Sequence, residues 1–154
     1  MPIFSRNWRH PQTNTPDPVQ LRNVGPVLQI EISLPSVLAA QFTQQGRPLP
    51  SPETGFALID TGASITGVDV DALARLGLSP FSTINVRTPQ GQAVQGLFAC
   101  QMSFPGSPIL PQQFNAVAGS ALAGQGYLAL IGRDVLQSCQ LVYNGPDGFW
   151  TIAF

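Results

Sequence analysis

The sequence predicts an all-β domain with one or two short helices. Three observations carry that expectation. The 154 residues include fifteen Gly and fifteen Pro, which interrupt helices and favour many turns joined by short strands. Apolar and polar residues alternate at period two in segments such as 28–34 and 98–104. Hydrophobic residues make up 44% of the chain and charged ones only 10%, against about 25% in an average soluble domain, so material for a core is ample. The length suits one domain, which we divide into a flexible arm or leader at 1–25 and a folded domain at 26–154.

Composition also excludes several functions. A net charge of −1 gives no electrostatic basis for binding nucleic acid or an anionic membrane surface. Cys100 and Cys139 form no CxxC pair, and with His10 as the single histidine one chain cannot assemble a zinc-type ligand set. Both cysteines read as small buried apolar residues, and no cofactor is expected. The N-terminal stretch lacks the apolar segment of a secretory signal. The longest apolar region, 109–131, is broken by Pro111, Gln112, Gln113, Asn115 and several glycines, which makes a poor membrane span. A cytoplasmic location is the resulting expectation.

Along the chain, 1–25 is rich in Pro, Asn, Gln and Thr and shows little periodicity. Leu28, Ile30, Ile32 and Leu34 share one face of a half-buried strand that Pro35 ends. The next segment, 35–54, holds Gly46, Pro48, Pro50 and Pro52 and reads as a long loop. Phe56 to Ile59 is a buried strand. Past it, Asp69 is placed to cap a short helix from about Val70 to Leu76, with Gly77 just beyond its end. Residues 83–87 and 92–104 form a long hairpin whose inner face carries Phe98, Cys100, Met102 and Phe104. A strand is expected near Phe114 to Val117, and Tyr127 to Ile131 is a second apolar run. A short helix over 133–138 and a hairpin from Cys139 to Phe154, turning at 144–148, complete the chain. That hairpin is apolar at too many positions for a free edge.

The stretch with chemical content is Phe56-Ala57-Leu58-Ile59-Asp60-Thr61-Gly62-Ala63-Ser64. A buried strand running into Asp-Thr-Gly sets the carboxylate at the tip of a tight turn, where Gly62 is expected to adopt backbone angles closed to other residues. Asp-Thr-Gly alone is a common turn. Here a helix, a projecting hairpin and a second apolar run ending in Gly132 follow it. With Ala57 to Ser64 and Leu130-Ile131-Gly132-Arg133-Asp134-Val135-Leu136, the chain resembles the retroviral-type aspartic proteases (retropepsins) and their cellular and bacterial relatives, over about Val27 to Phe154.

That resemblance implies a retropepsin-like half-barrel and peptide-bond hydrolysis by a water held between two carboxylates. Asp17, Asp69, Asp71, Asp134 and Asp147 lack the strand–turn setting, so one chain supplies one such acid, Asp60. An obligate homodimer with an Asp60/Asp60 dyad follows, and the apolar C-terminal hairpin would form its interface. By resemblance Thr61 bridges the two turns, Gly62 offers its carbonyl to substrate backbone, and Ala63 keeps the approach narrow. The hairpin tip Thr88-Pro89-Gln90-Gly91-Gln92 corresponds to the flap that closes over an extended peptide. Ser64, Ile65, Val86 and Ile131 are expected along the wall of the site, and Gly132, Arg133 and Asp134 in structural roles. Viral members often carry an acid where this chain has Ser64, paired with the arginine of the Gly-Arg run. Arg133 therefore needs another partner, a backbone carbonyl or a different acid. Two other readings use the same residues: a non-catalytic dimer that binds peptides or serves as a dimerisation module, and a β-barrel binding module in which Asp-Thr-Gly is only a turn.

Overall fold

A computed structural model describes residues 1–88 and 91–154 of the chain. Pro89 and Gln90 of the expected flap tip lie outside the described residues. The elements in chain order are β1 (Ile3–Asn7), α1 (Pro18–Val24), β2 (Val27–Ser33), α2 (Ser36–Gln44), β3 (Glu53–Ile59), β4 (Gly67–Asp69), α3 (Val70–Arg75), β5 (Ser82–Thr88), β6 (Gly91–Ser103), β7 (Gln112–Ser120), β8 (Ala129–Ile131), α4 (Arg133–Leu136), β9 (Gln140–Asn144) and β10 (Phe149–Ala153). A single 3-10 turn at Ala123–Gln125 precedes β8. The architecture is mainly β, as the alternating patterns predict. The helices number four among the described residues rather than one or two.

A seven-stranded sheet runs β2-β3-β8-β4-β7-β6-β5, and β2 also pairs with β6, so the sheet curls back on itself. Curling brings the inner faces together. Leu28, Ile30, Ile32 and Leu34 of the β2 stretch meet Phe98, Cys100, Met102 and Phe104 of the β6 stretch in one core, all 5% exposed or less. Side chains at period two do this because each face of a strand collects alternate residues. The register shifts where Phe98 faces Val117 but Cys100 faces Phe114, which puts the extra residue of a bulge on β7, while β6 runs on from β5 to β2. Helix α3 starts as its sequence indicates: the Asp69 carboxylate accepts from the Ala72 amide, and Gly77 takes a φ of +74° beyond the last turn.

Two segments depart from expectation. Ser36–Gln44 is helical where prolines suggested a loop; those prolines all follow it, and Pro35 sits at its start, where a missing N–H costs nothing. Residues 1–25 contain a paired strand and a helix instead of a loose arm. β1 pairs antiparallel with β10, Ile3 opposite Ala153 through Asn7 opposite Phe149, in a separate sheet ordered β1-β10-β9. In α1, Asp17 caps the first turn through the Gln20 amide, and Leu21 is fully buried.

The β1 pairing changes the reading of the C-terminal hairpin. Trp150 and Ile152 are fully buried within this chain, and the Phe4 ring packs on Trp150 at 5.5 Å between centroids. Trp150 and Ile152, two of the apolar residues that suggested an interface, are therefore covered by the chain's own core and first strand. Val142 and Tyr143 on β9 stay exposed. No helix among the described residues is long and apolar enough to cross a membrane.

Candidate active site

β3 and β8 lie side by side and parallel, with Ala57 opposite Ala129, Leu58 opposite Leu130 and Ile59 opposite Ile131. The two apolar runs found in the sequence thus become neighbouring strands ending at the same level. Beyond them the Asp60 amide donates to the Ile131 carbonyl at 2.9 Å, which fixes the acid at the strand's end. The turn is then closed twice: the Ala63 amide reaches the Asp60 carbonyl at 3.2 Å, and the Gly62 amide donates to Asp60 Oδ1 at 2.8 Å. One carboxylate oxygen is held by its own turn. The other, Oδ2, bonds no described residue.

Gly62 is needed for a different reason from the one expected. It is not among the glycines with positive φ. A Cβ there would lie 3.0 Å from Asp60 Oδ1, so the missing side chain makes room for the carboxylate to fold back on the Gly62 amide. Gly132 answers a sharper constraint. Its Cβ would stand 2.6 Å from the carbonyl carbon of Ile65 and 2.9 Å from the Thr66 nitrogen, both backbone atoms. Only glycine lets the chain after β8 cross the Asp60 loop this closely.

That crossing is stitched by polar groups. The Thr66 hydroxyl, fully buried, donates to Asp134 Oδ1 at 2.8 Å and accepts from the Gly132 amide at 3.1 Å. The Thr66 amide donates to Asp134 Oδ2 at 2.9 Å, and Val135 caps the same carboxylate from α4. Arg133 donates through Nη1 to the carbonyls of Thr61 at 2.7 Å and Gly62 at 3.1 Å, while its amide reaches the Ala63 carbonyl. Backbone carbonyls thus take the place of an acid partner for Arg133. Gly132, Arg133 and Asp134 all act on the loop that carries Asp60.

Asp60 faces a cleft of about 880 Å3. Gly62, Ala63, Ser64 and Ile65 form one side of it, and Ile84 to Arg87 of β5 another. Val86 is among the residues that line the cleft. Ile131 is not: it is fully buried in the core, and the alternation of β8 turns Leu130 to the cleft instead. Thr61 is exposed at the apex of the turn, and its hydroxyl bonds no described residue. Thr88 pairs with Gly91 across the β5–β6 hairpin, at the end of the strands that border the cleft.

No protein-family model and no curated protein matches the chain. Among solved structures it is similar to the solution structure of Simian Foamy Virus (mac) protease. The identity is 20% and the TM-score 0.43, over 73% of this chain and 92% of that one. Residue roles here rest on geometry alone.

Two residues of the site had no separate signal in the sequence. Thr66 looks like an ordinary residue after the turn, and only the crossing of Gly132 reveals its hydroxyl as the joint. Asp69 was legible as a helix cap but does more. At 4% exposure its Oδ1 also accepts from the amides of Leu122 and Ala123, both at 3.0 Å, and so anchors the segment that brings Ala121 and Gln125 to the cleft. Three N–H donors offset the cost of burying that charge. No cluster of three His, Cys, Asp or Glu that could hold a metal occurs among the described residues. Burial pushes the Cys100 thiol up to about 12, as suits an inert packing residue, and also raises that of the half-buried Cys139.

Proposed function

We propose that the chain is an aspartic endopeptidase acting on extended peptide or protein segments, with Asp60 and its two-fold mate in a homodimer forming the catalytic dyad. The observation that carries this reading is the placement of Asp60. It is the one carboxylate lining the cleft among the described residues, and it sits on a turn held by β8, Gly62 and Arg133. A single carboxylate cannot both take a proton from water and polarise the scissile carbonyl. Two in contact share one proton, because like charges so close cannot both ionise comfortably; the ionised one activates water while the protonated one donates to the carbonyl oxygen. Two copies of this turn facing each other supply that pair. In such a dimer the exposed Thr61 hydroxyls would bond across the two-fold axis, and the Gly62 carbonyl would use its second lone pair for a substrate N–H. Substrate would lie as a strand along the cleft beneath the β5–β6 hairpin, with side chains alternating into its walls.

A second reading has an observation of its own. Because β1 completes the terminal sheet within one chain, the fold does not require a partner there, which suits a non-catalytic peptide-binding module. One comparison separates the two. Asp60→Asn is expected to keep the fold and the sedimentation behaviour of the wild type while losing peptide cleavage by at least about a thousandfold, the cost of removing an essential acid–base group. Unchanged turnover in Asp60→Asn, or an active species that sediments as a monomer, overturns the dyad.

A further inference from the structure

The charge of the cleft is out of step with that of the chain. Overall there are 7 Lys and Arg against 8 Asp and Glu. Along the cleft stand Arg87, Arg133 and Asp60, and no other charged residue among those described. Arg87 is exposed; its backbone pairs opposite Gln92, but its side chain bonds no described residue. Arg133 spends only Nη1 on the Thr61 and Gly62 carbonyls, so its Nε and Nη2 donors bond no described residue. The ion pair formed among the described residues joins Arg75 and Glu53, so neither cleft arginine has a carboxylate partner among them. A guanidinium fixed at one corner and open along its Nε–Nη2 edge presents two parallel donors at the spacing of a carboxylate.

We infer that the cleft selects extended peptides carrying a Glu or Asp side chain beside the segment that lies over Asp60, with Arg133 and Arg87 as the selecting residues. This rests on the proposed function for the claim that a bound peptide is cut, but not for the claim that an acidic one is preferred. Arg133 is anchored next to the catalytic turn, so its open edge addresses a residue close to the scissile bond. Arg87 lines the cleft from a different element, β5, and so addresses a different residue of the peptide. Each contact is solvent-exposed, which limits its effect; a threefold to tenfold preference per carboxylate is the expected order.

The test uses the full chain and a set of extended peptides in which Glu replaces Gln at one position at a time. Affinity is read by fluorescence anisotropy on Asp60→Asn, which separates binding from cutting, and kcat/KM is read on the wild type. The expected result is that one or two Glu peptides bind roughly threefold to tenfold more tightly than their Gln twins, and that added salt erodes the preference. Arg87→Gln, which breaks no bond within the chain, should abolish the preference at one position, and Arg133→Lys should weaken it at the other. The ratio between twin peptides is compared within each variant, so a general loss of stability or activity cancels. Equal affinity of every pair, no binding of any peptide, or a preference that survives both substitutions overturns the inference. An acidic preference on Asp60→Asn with no cleavage by the wild type would sustain it while refuting the protease. Cleavage with no charge preference would do the reverse.

Discussion

Thr66→Val tests whether the Thr66–Asp134–Gly132 joint holds the Asp60 loop in place. Valine matches threonine in outline but removes the hydroxyl. The Gly132 amide then loses its acceptor in a fully buried setting, a cost of about 1–3 kcal/mol. The Asp134 carboxylate loses a charge-assisted bond of 2.8 Å, about 1.5–3 kcal/mol, but keeps the amides of Thr66 and Val135. Burying a methyl group in place of the hydroxyl returns about 0.8 kcal/mol. The net expectation is a destabilisation of about 2–5 kcal/mol, which for a chain of 154 residues lowers Tm by roughly 5–15 °C. Guanidinium unfolding followed by far-UV circular dichroism measures it, with the slope m unchanged if the native fold survives. A double-mutant cycle with Asp134→Ala should then show coupling of about 1 kcal/mol or more. A Thr66→Val loss below about 0.5 kcal/mol, or a coupling near zero, would refute the joint.

Two further outcomes test other parts of the structure. Gly132→Ala forces a methyl to within 2.6 Å of the Ile65 backbone, and because backbone cannot swing aside as a side chain does, a loss of about 3 kcal/mol or more and a fall in soluble yield are expected; a wild-type Tm would contradict the close crossing. Cys139 should react with an aromatic disulfide reagent in the folded protein, whereas Cys100 should react only as fast as the chain unfolds. Since burial lifts the Cys100 thiol from 9.0 to about 12, the folded state holds its proton more tightly than the unfolded chain. That contribution is complete at neutral pH and is lost as pH rises from about 9 towards 12. Rapid labelling of both thiols under native conditions would place Cys100 outside the core.

What could be read in advance followed from local rules. The faces of β2 and β6, the capped helix α3 and the two apolar runs all declare themselves through spacing and capping residues within about ten positions. Asp60 could be picked out because an apolar strand delivers it, although the strand is buried only at Ala57 and Ile59 and leaves Phe56 exposed rather than buried throughout. What escaped depends on distant partners. β1 has no signal until β10 is beside it, and α2 hides behind prolines that belong to the loop after it. Gly62 and Gly132 were both marked as important, yet the reason in each case is an approach between atoms, which no local pattern contains. The replacement of Ile131 by Leu130 on the cleft wall is a one-residue matter of strand phase, and a three-residue strand is too short to set its own.

The meeting of β1 with β10 also bears on the order in which the molecule assembles. The Ser5 and Thr151 hydroxyls touch at 2.8 Å across a sequence separation of 146 residues. Closing so long a loop costs entropy before any contact repays it, so pairings of this kind form late. The curled sheet with its Asp60 turn is built from elements between these ends and can precede them. Until the last strand arrives, however, Phe4 lacks the ring it packs on and the inner sheet lacks Trp150 and Ile152. Residues 149–153 thus work as a latch: a chain in which β10 is undocked carries its acid and its cleft residues but not the strand that seals the core.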